Sequence, residues 1–316
     1  MRKCIVLALG GNALQKQGEV TAEAQKAVAV QAGRLIAKLS QKYKIVVTHG
    51  NGPQVGNILL HEERAGTPTA PAMPLETAGA MSQGQIGYWL TQAIDNALLE
   101  QKSSATAATV VTQSVVGRRD PAFKHPTKPI GQFYTKQQAS KLAREKKWTM
   151  VEDSGRGWRR VVPSPKPIDI IEKGEIISLM NTGAIVVAVG GGGIPVYRTK
   201  ILQKIKGVDA VIDKDLASEK LAELIYADMF ISLTAVPNVF LNYGKPEQIA
   251  LKCLSVSTAN KYIAQNHFAA GSMLPKIQAA VQFAQKGGTS LITSLDQLED
   301  ALVGKSGTII TKKACA

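Results

Sequence analysis

Aromatic residues make up only 5% of this 316-residue chain, and cysteine (3) and histidine (4) are rarer still. Cys4, Cys253 and Cys315 are scattered, with no CxxC pair, which argues against a disulfide framework or zinc site and for a reducing compartment. His49, His61, His125 and His267 have no helical metal-ligand spacing, and His49 stands in no Ser/His/Asp or Cys/His arrangement. The longest apolar runs, such as residues 184–189, are strand-length. A membrane span needs about 20 residues, so no membrane partner is expected. Met1-Arg2-Lys3 runs straight into a strand-like segment with no small-residue cleavage site after it. No signal peptide is read there, and the expected location is the cytoplasm.

The charge is one-sided, at a formal +14. Its clusters are short, around Arg144, Lys146 and Lys147 and around Arg198, Lys200, Lys204 and Lys206. No RNA-stacking motif accompanies them, so the excess reads as solvated surface and the expected anionic partners are small ones such as nucleotides. A basic protein binding nucleic acid is the rival from another class. It predicts salt-dependent duplex binding without nucleotide turnover.

What the sequence has in plenty is alternation of strand and helix. Strand-like segments at 4–9, 44–48, 107–115, 184–189, 229–233, 290–293 and 308–311 interleave with helical periodicity at 22–39, 53–64, 77–99, 171–181, 214–225, 275–286 and 295–302. Residues 117–167 differ, being rich in Pro, Arg and Lys, with a capping box from Thr135 to Gln138, and read as a small inserted subdomain. The fold class is α/β: a three-layer α/β/α sandwich around a largely parallel open sheet, with a protruding subdomain. Ligands in such folds sit beyond the carboxyl ends of the strands.

Three strands end in glycine-rich loops there: Gly10-Gly11-Asn12, His49-Gly50-Asn51-Gly52, and Gly190-Gly191-Gly192. One such loop is commonly a tight turn, but three at one sheet edge point to a shared polyanion site. Gly304-Lys305-Ser306 is no Walker loop, since Glu299 stands where its first glycine belongs. A dinucleotide fold is disfavoured by Pro53 and by the lack of an acidic strand end near residues 70–74.

Three lysines occupy unusual places. Lys128 lies between Pro126 and Pro129, while Lys214 and Lys276 stand at helix starts, where the helix dipole disfavours a cation unless an anion is near. Asp213 reads as an N-cap. Asp209 and Asp215 either orient the lysines or approach a magnesium ion, two roles the sequence leaves open. Arg156, Arg159 and Arg160 read as braces of the subdomain, with contact to substrate as the less favoured alternative.

Together, Ala8-Leu-Gly-Gly-Asn-Ala13, residues 49–56, 81–88, 126–131, 155–165 and 190–196, Gly207-Val-Asp-Ala-Val-Ile-Asp-Lys-Asp215 and residues 271–276 resemble the motifs of the carbamate kinases, in family order. The resemblance implies the amino-acid-kinase fold, a homodimer, and Mg2+ entering with ATP or ADP rather than at a fixed protein site. It implies an acceptor-binding part, 1–185, containing the subdomain 117–167, and a nucleotide-binding part, 186–316. Carbamate or carbamoyl phosphate is then expected at Gly10, Gly11, Asn12, Gly50, Asn51 and Gly52. The catalytic set is Lys128, Lys214, Lys276 and Asp215. The nucleotide is expected at Gly190, Gly191, Gly192, Asp209, Lys214, Thr234, Ala235, Met273 and Lys276. Ala235 and Pro237 depart from the family pattern on the adenine side. The close rival is a sister kinase acting on another small carboxylate or phosphonate.

Overall fold

The computed structural model describes residues 2–10, 21–153 and 155–313. The chain opens with β1 (Lys3–Leu9), α1 (Ala22–Ser40), β2 (Tyr43–His49), α2 (Gly52–Ala65) and α3 (Leu75–Glu100). Next come β3 (Ala107–Thr109), β4 (Gln113–Val116), β5 (Lys128–Tyr134), α4 (Lys136–Lys146), β6 (Thr149–Glu152) and β7 (Trp158–Val162). β8 (Pro167–Ile170), α5 (Lys173–Asn181), β9 (Ile185–Val187), β10 (Ile194–Arg198), β11 (Ile205–Gly207), α6 (Lys214–Leu224) and β12 (Met229–Thr234) follow. The last third holds β13 (Val239–Leu241), β14 (Ile249–Leu251), β15 (Cys253–Ser255), α7 (Val256–Ala264), α8 (Met273–Gln285), β16 (Thr289–Ser294), α9 (Leu298–Leu302) and β17 (Thr308–Thr311).

The main sheet has eight strands in the order β15-β17-β16-β12-β1-β2-β9-β3. Every neighbouring pair is parallel except β16 with β17. Two faces follow from the alternation along β1. Ile5, Leu7 and Leu9 join a core with α1, α3 and α9, while Cys4, Val6 and Ala8 join one with α5, α6 and α8. Burial on both sides explains why residues 4–9 of β1 and 45–47 of β2 read as unbroken apolar runs instead of alternating ones. This is the expected three-layer sandwich.

Local signals set the ends of the elements. Thr21 caps α1, and Thr135 with Gln138 completes the expected capping box on α4. Gly183, at φ +92°, closes the turn after α5. The strand expected at 107–115 is two strands. β3 extends the main sheet, and the chain then crosses to β4, which pairs with β8 and β10 in a second sheet. Residues 107–115 are small or β-branched nearly throughout, with no glycine or proline at the switch, so the sequence carries no sign of that change of sheet. The helix expected at 295–302 is confined to the five residues of α9. Cys4 is a free, buried thiol, but Cys253 is disulfide-bonded, against the all-thiol expectation. No helix among the described residues is long and apolar enough to cross a membrane.

β5, β7 and β6 form a sheet of their own, to which α4 is attached. Its Ile130 and Val162 pack on Val55 and Leu59 of α2 and on Leu75 and Ala78 of α3. Val116 and Pro167, at the two ends of the excursion, are cross-strand partners. The chain therefore leaves and rejoins the body at one point.

Candidate active site

Parallel strands direct their carboxyl ends to one edge, and there a cavity of about 620 Å³ opens. Its walls include Gly10 after β1, Gly50-Asn51-Gly52 after β2, Gly191 after β9, Thr234 and Ala235 after β12, and Met273 and Lys276 at the head of α8. Lys128 reaches it from β5, and Asp213, Lys214 and Asp215 from the start of α6. Residues far apart in sequence thus meet because a parallel sheet puts every such loop at the same end.

Asp215 is the hub. Only 4% exposed, its carboxylate accepts from Lys214 Nζ at 2.9 Å, from Lys276 Nζ at 3.0 and 3.2 Å, and from Ser232 Oγ at 3.0 Å. Burial alone would push this carboxyl up, but the two ammonium groups outweigh it and hold it well below the usual carboxylate range. Lys276 is itself buried, and desolvation together with the Lys214 charge lowers its pKa, while Asp215 offsets part of the fall. Two ammonium groups against one carboxylate leave net positive charge in a partly dry cavity, which is an anion site.

Asp213 caps α6: its Oδ1 accepts from the backbone N–H of Asp215 at 2.9 Å and of Leu216 at 3.4 Å. Its Oδ2 accepts from Lys128 Nζ at 3.0 Å. Lys128 is therefore tied to the helix that bears Lys214 and Asp215.

The loop after β2 is clamped. Asn51 Nδ2 donates to Ser82 Oγ at 2.7 Å, and Ser82 Oγ donates to the Gly79 carbonyl at 2.6 Å. The Gly50 N–H is already given to the Leu9 carbonyl at 3.2 Å, so Gly50 lines the cavity without offering that donor. Gly191 sits at φ +64°, and a Cβ there would lie 2.1 Å from Asn51 Nδ2. A Cβ at Gly190 would lie 2.5 Å from the His49 ring. The glycines of this loop serve close packing against β2.

Not every expected residue comes to the cavity. Gly190 and Gly192, expected at the nucleotide, are buried behind Gly191, and the loop rests on His49 and Asn51 rather than beside β12. Asp209, also expected there, is largely exposed and pairs with Arg160 at 3.4 Å. Gly11 and Asn12 lie outside the described residues. Lys128, Lys214, Asp215, Lys276, Gly10, Gly50, Asn51, Gly52, Gly191, Thr234, Ala235 and Met273 are brought together. Sequence reasoning missed Phe240, Tyr243, His267 and Phe268, which form an aromatic wall of the same cavity. They stand on short or irregular segments, where no periodicity marks them. Arg156 and Arg159 both lie over Phe133 and bond to Asp153, bracing the subdomain, and Arg159 also lines the cavity.

His49 is fully buried, and its Nδ1 bonds the Gly50 carbonyl at 2.9 Å, so the proton resides on Nδ1. Burial lowers its pKa from the usual 6.5 to about 4, with the Lys214 charge acting in the same direction. A neutral, enclosed imidazole of this kind is a structural group. Because the folded pKa is depressed, its contribution to stability is complete above about pH 6.5 and is lost as pH falls through about 4. That contribution amounts to roughly 3 kcal/mol for a shift of this size. Urea unfolding of His49→Asn is expected to show a flatter loss of stability between pH 6.5 and 4 than the parent. The shape of the pH–rate curve should not change, and loss of a limb near neutral pH would instead make His49 a proton acceptor.

Comparison with known proteins agrees with this geometry. The model of the amino acid kinase family matches residues 3–294. The carbamate kinase of Lentilactobacillus hilgardii is 48% identical over 99% of this chain and 98% of its own length. That of Thermococcus kodakarensis is 48% identical over 98% and 100%. The structure of carbamate kinase from Giardia lamblia bound to AMP-PNP superposes with a TM-score of 0.92 at 45% identity, covering 99% of both chains.

Proposed function

The chain belongs to the amino acid kinase family, among the carbamate kinases, and on that premise we propose that it moves a phosphoryl group reversibly between ATP and carbamate. The observation that carries this reading is the Lys214–Asp215–Lys276 cluster opening on the same cavity as Lys128 and the loops after β1 and β2. Carbamate is already an anion with a nucleophilic oxygen. That oxygen attacks the γ-phosphorus as the bond to the ADP oxygen breaks, and no general base is needed. Negative charge spreads over the equatorial oxygens, so fixed cations and positioning supply the catalysis. Lys214 and Lys276 meet the nucleotide phosphates, Lys128 meets the transferring group, and Asp215 holds the two buried ammonium groups charged and apart. The N-terminus of α2, at Gly52, offers its dipole and backbone N–H groups to the acceptor side.

Mg2+ entering with the nucleotide neutralises phosphate charge. Both carboxylate oxygens of Asp215 are engaged by lysines, and no three His, Cys, Asp or Glu cluster among the described residues. The ion is therefore proposed to ride on the phosphates. The acceptor is assigned to the first part of the chain, 1–185, and the adenine to the aromatic wall of the second, 186–316. ADP calorimetry on Lys128 variants tests that division. A homodimer is proposed on the family resemblance, and sedimentation equilibrium measures it. A cytoplasmic location is proposed with ATP as the donor.

The test of the function is ATP formation from carbamoyl phosphate and ADP. Rapid turnover with carbamoyl phosphate and little with acetyl phosphate is the expected result. No turnover, or a preference for another acyl phosphate, would replace carbamate with a different acceptor.

A further inference from the structure

We infer that Asp213 is a positioning residue for the phosphoryl transfer, holding the Lys128 ammonium in register with Lys214 and Lys276. The inference rests on the reading of Lys128 given above, and starts from the division of labour between the two oxygens of Asp213. Oδ1 caps α6, and that task needs only an acceptor: Asn or Ser at an N-cap serves as well as Asp. Oδ2 takes no part in the cap, and its partner is Lys128 Nζ, 85 residues away in sequence. The negative charge at residue 213 therefore exceeds what the helix requires.

That excess has a consequence for substrate. Asp213 lies on the wall of the cavity that receives phosphates, where an uncompensated carboxylate repels the ligand. A residue serving only as a cap would be better neutral. The charge is useful if it holds a cation that the reaction needs, and Lys128 is that cation. Asp213 is also a rigid anchor. Its side chain is 15% exposed against 37% for Lys128, and it immediately precedes Lys214 and Asp215 at the first turn of α6. Tying Lys128 to it fixes the third ammonium relative to the other two.

The need for such a tie follows from where Lys128 comes from. It opens β5, a strand of the separate β5-β7-β6 sheet, which packs on the body through the small apolar cluster of Ile130 and Val162. β5 bends at Gly131, where φ is +68° and Arg159 donates to the carbonyl at 3.1 Å. An ammonium delivered on a separate small sheet requires a reference point on the body, and a misplacement of about 1 Å costs on the order of 10²-fold in rate.

The experiment compares Asp213→Asn and Asp213→Ser, which both keep an acceptor for the cap, with Lys128→Met and the double variant Asp213→Asn/Lys128→Met. Both Asp213 variants are expected to melt close to the parent and to bind ADP at least as tightly. Their kcat should fall roughly ten- to a hundredfold, with the KM for carbamoyl phosphate little moved. In the Lys128→Met background, Asp213→Asn should add less than about a twofold effect, because the group it positions is gone. A normal kcat in both Asp213 variants would reduce the residue to a cap. A full loss repeated in the Lys128→Met background would show that Asp213 acts without Lys128, and would also overturn the inference. If Lys128→Met itself keeps a normal kcat, the catalytic reading of Lys128 fails first, and the single-variant data separate that case from the other two.

Discussion

Lys128→Met is expected to lower kcat by roughly 10²–10³ while leaving ADP affinity almost unchanged. Lys128 reaches the cavity from β5, and its partner in the free enzyme is Asp213. Ground-state nucleotide phosphates meet Lys214 and Lys276 instead, so removing Lys128 takes away an interaction that matters most as charge moves onto the transferring group. Met preserves most of the aliphatic stem and removes the charge together with the hydrogen bond to Asp213. Steady-state kinetics with carbamoyl phosphate and ADP, together with calorimetric ADP binding, separate the two quantities. A variant with near-normal kcat would reduce Lys128 to a structural partner of Asp213.

A larger and less local loss is expected from Asp215→Asn. The carboxylate is the shared counter-ion of two ammonium groups, and Lys276 is 8% exposed. Removing one partner of a buried ion pair leaves charge uncompensated, at a cost of about 3–5 kcal/mol. Part of that cost is relieved by deprotonation of Lys276, whose pKa burial and Lys214 already lower and which Asp215 holds up. Three results should therefore appear together: a lower melting temperature, a fall in kcat of roughly 10³ or more, and weaker ADP binding. The pH–rate curve supplies the sign. Lys276 acts as a cation, so lowering its pKa moves the alkaline loss of activity to lower pH in Asp215→Asn. Lys276→Met should weaken ADP binding as well as kcat, but without that alkaline shift. An Asp215→Asn enzyme with the parental alkaline limb would mean that the carboxylate does not sustain the lysine charge.

The division between what was legible in the sequence and what was not has a physical pattern. Alternating 3.6-residue and strand periodicities, with caps at Thr21 and Thr135 and stops at glycines, determined the three-layer fold, since each signal is local and repeats along the chain. The oddity of Lys214 and Lys276 at helix starts was local too; it read as phosphate contact, and it left open whether Asp209 or Asp215 is the anion beside the lysines. Only the tertiary structure decided that this anion is Asp215, that Asp213 divides its two oxygens between a helix cap and Lys128, and that Asp209 faces away toward Arg160. The break after β3 and the role of the Gly190 loop were likewise decided by packing. A β-prone run carries no mark of which sheet it joins, and a glycine's freedom reads the same whether it admits a phosphate or the side chains of His49 and Asn51. Aromatic residues lining the cavity sit on irregular segments, so their convergence is a property of the folded edge of the sheet and of no single stretch of sequence.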